Sequence, residues 1–256
     1  SETVFNVTLE DLSGDGVVDV VACGNDGIYL IEGQSGGIFK GEARLAWRAP
    51  EKVLDPMVMT TGDIDGDGDA DLWLSQYKLP YVKGQMPTPI YDANDGFPGY
   101  LLLNDGTGRL TAATAAAGLV AKRNRRSYSA SFADIDNDGW LDIFAIGDGV
   151  QAFRNQGTGG FTDVTAALGL DSLTGQVTQL AAADIDRDGD SDLLLAHATG
   201  LKYLRNDGGN ANHQLKIRLY GNRSNASGIG IQVETVTTGL RLKRTVQSLP
   251  IEIGIG

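Results

Sequence analysis

Cys23 is the only cysteine in 256 residues, so no disulfide framework can staple this chain. It sits in the apolar run Val20-Val21-Ala22-Cys23 and reads as a buried, inert thiol. The two histidines, His197 and His213, stand far apart and outside any nucleophile or zinc motif. No G-x-S-x-G, Walker loop or H-E-x-x-H occurs, so hydrolase and nucleotide-binding readings lack their chemical parts. Basic residues are in deficit, 21 Lys and Arg against 33 Asp and Glu, and the formal charge of -12 argues against nucleic acid, which is recruited by cationic side chains. No apolar stretch approaches a membrane span, and the first residues show no basic region followed by an apolar one. Aromatics make up only 7% of the chain, whereas there are 35 glycines and repeated clusters such as Asn104-Asp105-Gly106, Asn155-Gln156-Gly157 and Asn206-Asp207-Gly208. Short strands joined by tight turns follow from that composition, and 41% apolar residues suffice for a core, so an all-β fold is expected.

Four segments repeat the pattern D-x-[DS]-x-D-G-x-x-D, at residues 11–19, 63–71, 134–142 and 184–192. Their starts are 52, 71 and 50 positions apart, so a unit of about fifty residues recurs, with an insertion in the second at residues 76–98. That insertion holds four of the seven prolines and reads as a long surface loop. An apolar strand follows each segment, and a second strand after it ends in an Asn-Gly type turn. Each repeat is therefore expected to be a small antiparallel sheet.

Three or more carboxylates in nine residues repel one another by about 1 kcal/mol per pair at roughly 4 Å in water, and about 4 at an effective dielectric of about 20. Ca²⁺, which takes six to eight hard oxygen ligands in flexible geometry, answers that repulsion. Positions 1, 3 and 5 can turn inward, Gly at position 6 permits the bend, position 7 offers its carbonyl, and position 9 closes the site. The candidate ligands are Asp11, Ser13, Asp15, Val17 and Asp19; Asp63, Asp65, Asp67, Asp69 and Asp71; Asp134, Asp136, Asp138, Trp140 and Asp142; and Asp184, Asp186, Asp188, Asp190 and Asp192. Asp69 and Asp190 at position 7 are assigned an outer-sphere role for their carboxylates. Four solvated acidic turns are the metal-free alternative, which four copies at one spacing disfavour. An EF-hand needs a bidentate Glu at position 12, where this chain has Ala22, Leu74, Ala145 and Leu195, so about four Ca²⁺ on β-loops are expected. The first loop, with Ser13 at position 3, should hold metal least well.

At these residues the chain resembles the FG-GAP or VCBS repeats of integrin-α-like β-propellers, whose blades carry D-x-D-x-D-G-x-x-D calcium loops; residues 134–142 are close to ideal. Gly160-Phe161-Thr162-Asp163-Val164-Thr165 with Leu168-Gly169-Leu170 also looks like that family's connection between blades. The segment at residues 212–225, with Gly228-Ile229-Gly230-Ile231 and the ending Ile251-Glu252-Ile253-Gly254-Ile255-Gly256, resembles the ASPIC/UnbV domain of cartilage acidic protein-like secreted proteins. The resemblance implies propeller-type repeats over residues 1–210, a partial C-terminal β domain over 211–256 and an extracellular setting. Family members carry seven blades, so further blades upstream, or neighbouring copies on the ends near residues 4–9 and 215–255, are also implied.

The function that follows is a secreted or cell-surface calcium-binding scaffold for adhesion or assembly, without catalysis, with a protein or glycan partner or with its own copies. A carbohydrate-active or lectin-like propeller is the alternative. The basic run at residues 122–126 reads as a solvated loop, or else as a contact for an anionic glycan or acidic partner. Trp73 and Trp140 fall within the acidic repeats and read as packing residues rather than sugar platforms. Asn6, Asn222 and Asn225 head sequons and are candidate glycosylation sites.

Overall fold

The computed structural model describes residues 4–50, 53, 56–76, 99–120, 127–147, 149–157, 160–173, 177–208, 211–221, 228, 231–238, 241–246 and 251–255. The insertion beyond Gln76, the basic run at residues 122–126 and the sequon residues Asn222 and Asn225 lie outside the described residues.

The fold is all-β. Strands β1 (Val4–Glu10), β2 (Asp19–Gly24) and β3 (Gly27–Ile31) come first, then the two-residue pair β4 (Gly33–Gln34) and β5 (Ile38–Phe39), then β6 (Arg44–Arg48). β1, β2, β3 and β6 form an antiparallel sheet in that order. The second sheet holds β7 (Pro56–Gly62), β8 (Asp71–Gln76), β9 (Tyr100–Asn104) and β10 (Leu110–Ala112), and the third β11 (Ser129–Ala133), β12 (Asp142–Ile146), β13 (Val150–Asn155) and β14 (Phe161–Asp163). The fourth comprises β15 (Val177–Ala183), β16 (Asp192–His197) and β17 (Gly200–Leu204). Beyond it, β18 (Gln214–Ile217) pairs with β21 (Ile251–Gly254), and β19 (Gln232–Val236) with β20 (Arg241–Thr245).

The order of the first three strands thus recurs in all four sheets, as the spacing of the acidic segments implied, while a fourth strand is described in the first three only. In each case the acidic segment joins the first strand to the second. β1 lies against β7, β7 against β11 and β11 against β15. The second strands are apolar on both faces: Leu72, Trp73 and Leu74 are all buried, as are Ile143, Phe144, Ala145 and Ile146. A short continuous apolar run between turn signals suits a strand that is covered on both sides. Three apolar clusters do the covering. One joins Leu12, Val21 and Leu30 of the first sheet to Met59, Leu72 and Leu74 of the second. Another joins Ile64, Trp73 and Leu101 to Ala130, Ile143 and Phe153. The third joins Ile135, Phe144 and Ala152 to Val177, Leu193 and Leu195. Leu242, Val246, Ile251 and Ile253 make a separate cluster in the C-terminal segment. Among the described residues no helix is long and apolar enough to cross a membrane.

Candidate metal centre

Register places the four acidic loops identically. Position 9 opens the second strand and pairs with the residue just before position 1: Asp19 with Glu10, Asp71 with Gly62, Asp142 with Ala133 and Asp192 with Ala183. Between these partners the chain turns by two left-handed residues. Position 6 is Gly16, Gly68, Gly139 or Gly189, all at positive φ, as the sequence required. Position 4 is left-handed too, at Gly14 and Gly66 but also at Asn137 (φ 56°) and Arg187 (φ 69°). Sequence reasoning missed that second bend, although glycine in two of four copies signals it.

The position-9 carboxylates are buried and bound on both oxygens. One oxygen accepts from the backbone N–H of position 2, from Leu12 (3.0 Å), Ile64 (2.8 Å), Ile135 (3.0 Å) and Ile185 (3.1 Å). The other accepts from the end of the third strand, from Gly33 (2.8 Å), Asn104 (2.9 Å), Asn155 (2.8 Å) and Asn206 (2.9 Å). Position 5 instead caps its own turn, with Asp15, Asp67, Asp138 and Asp188 each accepting from the backbone N–H two residues on.

In three loops the side chains of positions 1, 3 and 9 converge: Asp63, Asp65 and Asp71; Asp134, Asp136 and Asp142; Asp184, Asp186 and Asp192. Within each trio, ligand oxygens lie within 4.8 Å of one another. Asp63 Oδ2, Asp136 Oδ1 and Asp184 Oδ1 are buried there without a hydrogen-bond partner. Such an oxygen is costly unless a cation meets it, so these donor sets fit a hard, oxygen-seeking ion. The position-5 carboxylates stand outside the trios. No such trio forms in the first loop among the described residues. There Asp11 accepts from Gly14 and Gly16 at 2.9 and 2.8 Å, both Asp19 oxygens are taken by backbone N–H groups, and Ser13 Oγ is buried without a hydrogen-bond partner. The expectation of about four ions therefore meets three convergent sites.

Burial raises several of these carboxyls. It pushes Asp65 up to about 6, Asp71 and Asp134 to about 7 and Asp142 to about 8, with neighbouring loop carboxylates adding to the shift. Basic side chains approach the same acids: Arg154 pairs with Asp136 and, at 3.4 Å, Asp138; Arg205 lies 3.4 Å from Asp186; Lys216 pairs with Asp184.

The FG-GAP-like repeat family matches residues 11–74, 91–145 and 134–195, well over half of the chain and every acidic loop. The chain belongs to this family. No curated protein matches it. Among solved structures, one on recognition of non-reducing terminal N-acetylglucosamine by an Agrocybe aegerita lectin shares the fold at a TM-score of 0.54 and 17% identity. That likeness covers 95% of this chain but 66% of the lectin, so the chain spans about two thirds of its length. A Photorhabdus luminescens Tc holotoxin pore structure is more distant, at a TM-score of 0.48 and 20% identity over 77% of this chain and 9% of that one.

The FG-GAP-like repeats are clasped together by a residue that the sequence presented only as a turn former. Asn104 Nδ2 donates to the carbonyl of Leu12 (2.9 Å), Asn155 Nδ2 to Ile64 (2.7 Å) and Asn206 Nδ2 to Ile135 (2.7 Å). Each acceptor is position 2 of the preceding repeat's acidic loop, so one asparagine holds its own loop by its backbone and the previous loop by its side chain.

The C-terminal segment crosses three loops of the FG-GAP-like repeats. Arg244, largely buried, donates to the carbonyls of Asp63 (3.4 Å) and Gly139 (3.1 Å) and sits 3.9 Å from the Asp63 carboxylate. Gly254 N–H donates to Asp134 (3.2 Å), and Asn212 Nδ2 to the carbonyl of Asp136 (2.9 Å). A cavity of about 380 Å³ lies between this segment and the loops, with Asp63, Asp134, Gln214, Lys243, Arg244 and Glu252 on its walls.

Other sequence readings resolve simply. Cys23 is buried and free, its thiol pushed up to about 12 by burial. Trp73 is core, and the Trp140 ring covers Gly66 of the preceding loop, so both are packing residues. His197 contacts Thr199 at 2.8 Å and His213 is exposed. Asn6 lies half-buried in β1.

Proposed function

We propose that the chain is a non-catalytic, calcium-binding β-propeller scaffold that acts outside the cell and presents its surfaces for adhesion or assembly. The metal reading rests on one observation: three loops bring carboxylates 1, 3 and 9 together around buried oxygens that make no hydrogen bond. Calcium suits all-oxygen donors with room for carbonyls and water, and Mg²⁺, which demands a tighter octahedron, suits them less. The propeller reading is supported by four sheets that share the order of their first three strands and whose first strands follow one another in chain order. The C-terminal segment would act as an ASPIC/UnbV-like cap over three loops, and the extracellular setting comes from the family resemblance.

Metal bound only by the native loops adds about 2.7 kcal/mol per site at about a hundredfold excess over Kd. Calorimetric titration of the chelator-stripped protein should therefore show calcium uptake, and excess EDTA should lower the melting temperature of the loaded protein. Unchanged unfolding after proven removal of metal would defeat the proposal. A second reading, a lectin-like propeller that takes extracellular glycans, is suggested by the fold shared with a lectin that recognises N-acetylglucosamine. Retention on immobilised N-acetylglucosamine, competed by free sugar, is its test.

A further inference from the structure

Position 1 of each convergent loop meets a donor from the C-terminal segment. Arg244 of β20 lies 3.9 Å from the Asp63 carboxylate, the Gly254 N–H of β21 donates to Asp134 at 3.2 Å, and Lys216 of β18 pairs with Asp184 and sits 3.4 Å from Glu252. In the first loop, which forms no carboxylate trio among the described residues, Asp11 instead accepts from Gly14 and Gly16 of its own turn. Three strands of the segment thus each bring an N–H or a cationic group to an aspartate that would also hold the metal.

The rest of the hold is polar too. Asn212 donates to the carbonyl of Asp136 (2.9 Å), Gln214 to the side chain of Asn137 (3.2 Å), and the Asp184 N–H to Glu252 (3.3 Å). The contact is closely fitted at the third loop, where a Cβ on Gly254 would stand 2.5 Å from the Asn137 backbone. By contrast, Leu242, Val246, Ile251 and Ile253 pack with one another and with Ile217 and Leu219 in a cluster apart from those of the repeats, and the cavity of about 380 Å³ lies between segment and loops. A hold made of charges and hydrogen bonds, without a shared apolar core, responds to a change of charge. Cationic side chains and a divalent ion are attracted by the same carboxylates and repel each other.

We propose that the C-terminal segment is a calcium-released latch, docked on the three convergent loops through their position-1 aspartates and loosened as those loops take up the ion. The latch rests on the calcium reading of the loops and adds a coupling of negative sign to it. Linkage is reciprocal, so a segment that calcium loosens is also one that holds calcium affinity down. Residues of β18, β20 and β21 share the one apolar cluster, so the segment lets go of the loops as a unit.

Hydrogen exchange read by mass spectrometry on the full chain tests the latch. Peptides covering β20 and β21 should exchange several-fold faster in excess calcium than in EDTA, while the buried strands β8 and β12 exchange no faster. Lys216→Met, at an exposed position, should keep the wild-type circular dichroism, speed exchange of β20 and β21 in EDTA, and tighten calcium at the fourth loop about fivefold in calorimetric titration. Lys216→Arg, which keeps the charge, should behave as the wild type. If the wild type takes up calcium but its C-terminal strands exchange no faster with the ion bound, or if Lys216→Met leaves calcium affinity unchanged, the latch is overturned and the calcium reading stands. No uptake by the wild type would overturn both.

Discussion

At the scale of single residues, the loops are built from conflicts that their neighbours resolve. Arg187 holds a left-handed conformation that its Cβ resists, where Gly14 and Gly66 adopt it freely. Arg187→Gly should therefore stabilise the protein by about 1 kcal/mol in urea unfolding, with calcium affinity unchanged. Asp65, Asp71, Asp134 and Asp142 have carboxyls raised to between about 6 and 8, against about 4 in the unfolded chain. A raised acid binds its proton more tightly when folded, so its contribution to metal-free stability is full below pH of about 4 and is lost as pH rises through the folded values. Metal needs the same groups ionised. Stripped protein should thus lose stability between about pH 5 and 8, while calcium affinity should rise over the same interval. Melting curves with and without calcium across that range check both signs, and an affinity independent of pH would count against these carboxylates as ligands.

At the scale of elements, the unit is a strand pair, its acidic loop and the asparagine that ends the third strand. Asn155 is the clearest case: its amide bridges the carbonyls of Ile64 and Leu141 while its oxygen accepts from Gly157. Asn155→Ala strands these buried groups and should cost about 1–3 kcal/mol. It should also weaken metal binding at the second loop, none of whose carboxylates it touches. Calorimetric calcium titration, in which one site should weaken while the others hold, checks this. Asn206→Ala, which acts on the Ile135 carbonyl of the third loop, is the matching control. The sequence displayed the acidic pattern, the strands after it and the turns after those. It did not display that the turn asparagine reaches another repeat, because its partner lies 91 residues away and is a backbone carbonyl with no signature of its own.

For the whole molecule, a net charge of -12 concentrated in loops has to be balanced, and the C-terminal segment takes part. Burial lowers the Arg244 guanidinium from its ordinary value, and Asp63 and Asp134 oppose that shift. Arg244 therefore supplies countercharge to two loops that a divalent ion would also neutralise. Arg244→Met should destabilise stripped protein more than calcium-loaded protein, by a difference on the order of 1–3 kcal/mol, read from denaturation in EDTA and in excess calcium. Equal losses in both conditions would mean that the arginine acts through its carbonyl contacts alone.

Local chemistry was enough to determine the all-β class, the four-fold recurrence and the residues of the acidic loops. Strand alternation, turn residues and carboxylate spacing are short-range properties that a chain carries wherever it folds. What only the tertiary structure decided is which carboxylates converge and which surfaces stay open. Positions 1, 3 and 9 meet because strand register returns position 9 beside position 1, while position 5 turns back to cap its own backbone. The first loop differs at position 3, where Ser13 replaces the carboxylate and its hydroxyl is left buried without a hydrogen bond, so no carboxylate trio forms there among the described residues. Val7 is apolar like Met59 and Ala130 at the equivalent register, yet it is 55% exposed where they are buried. Burial and satisfaction depend on neighbours brought from tens of residues away, and no single stretch of sequence states them.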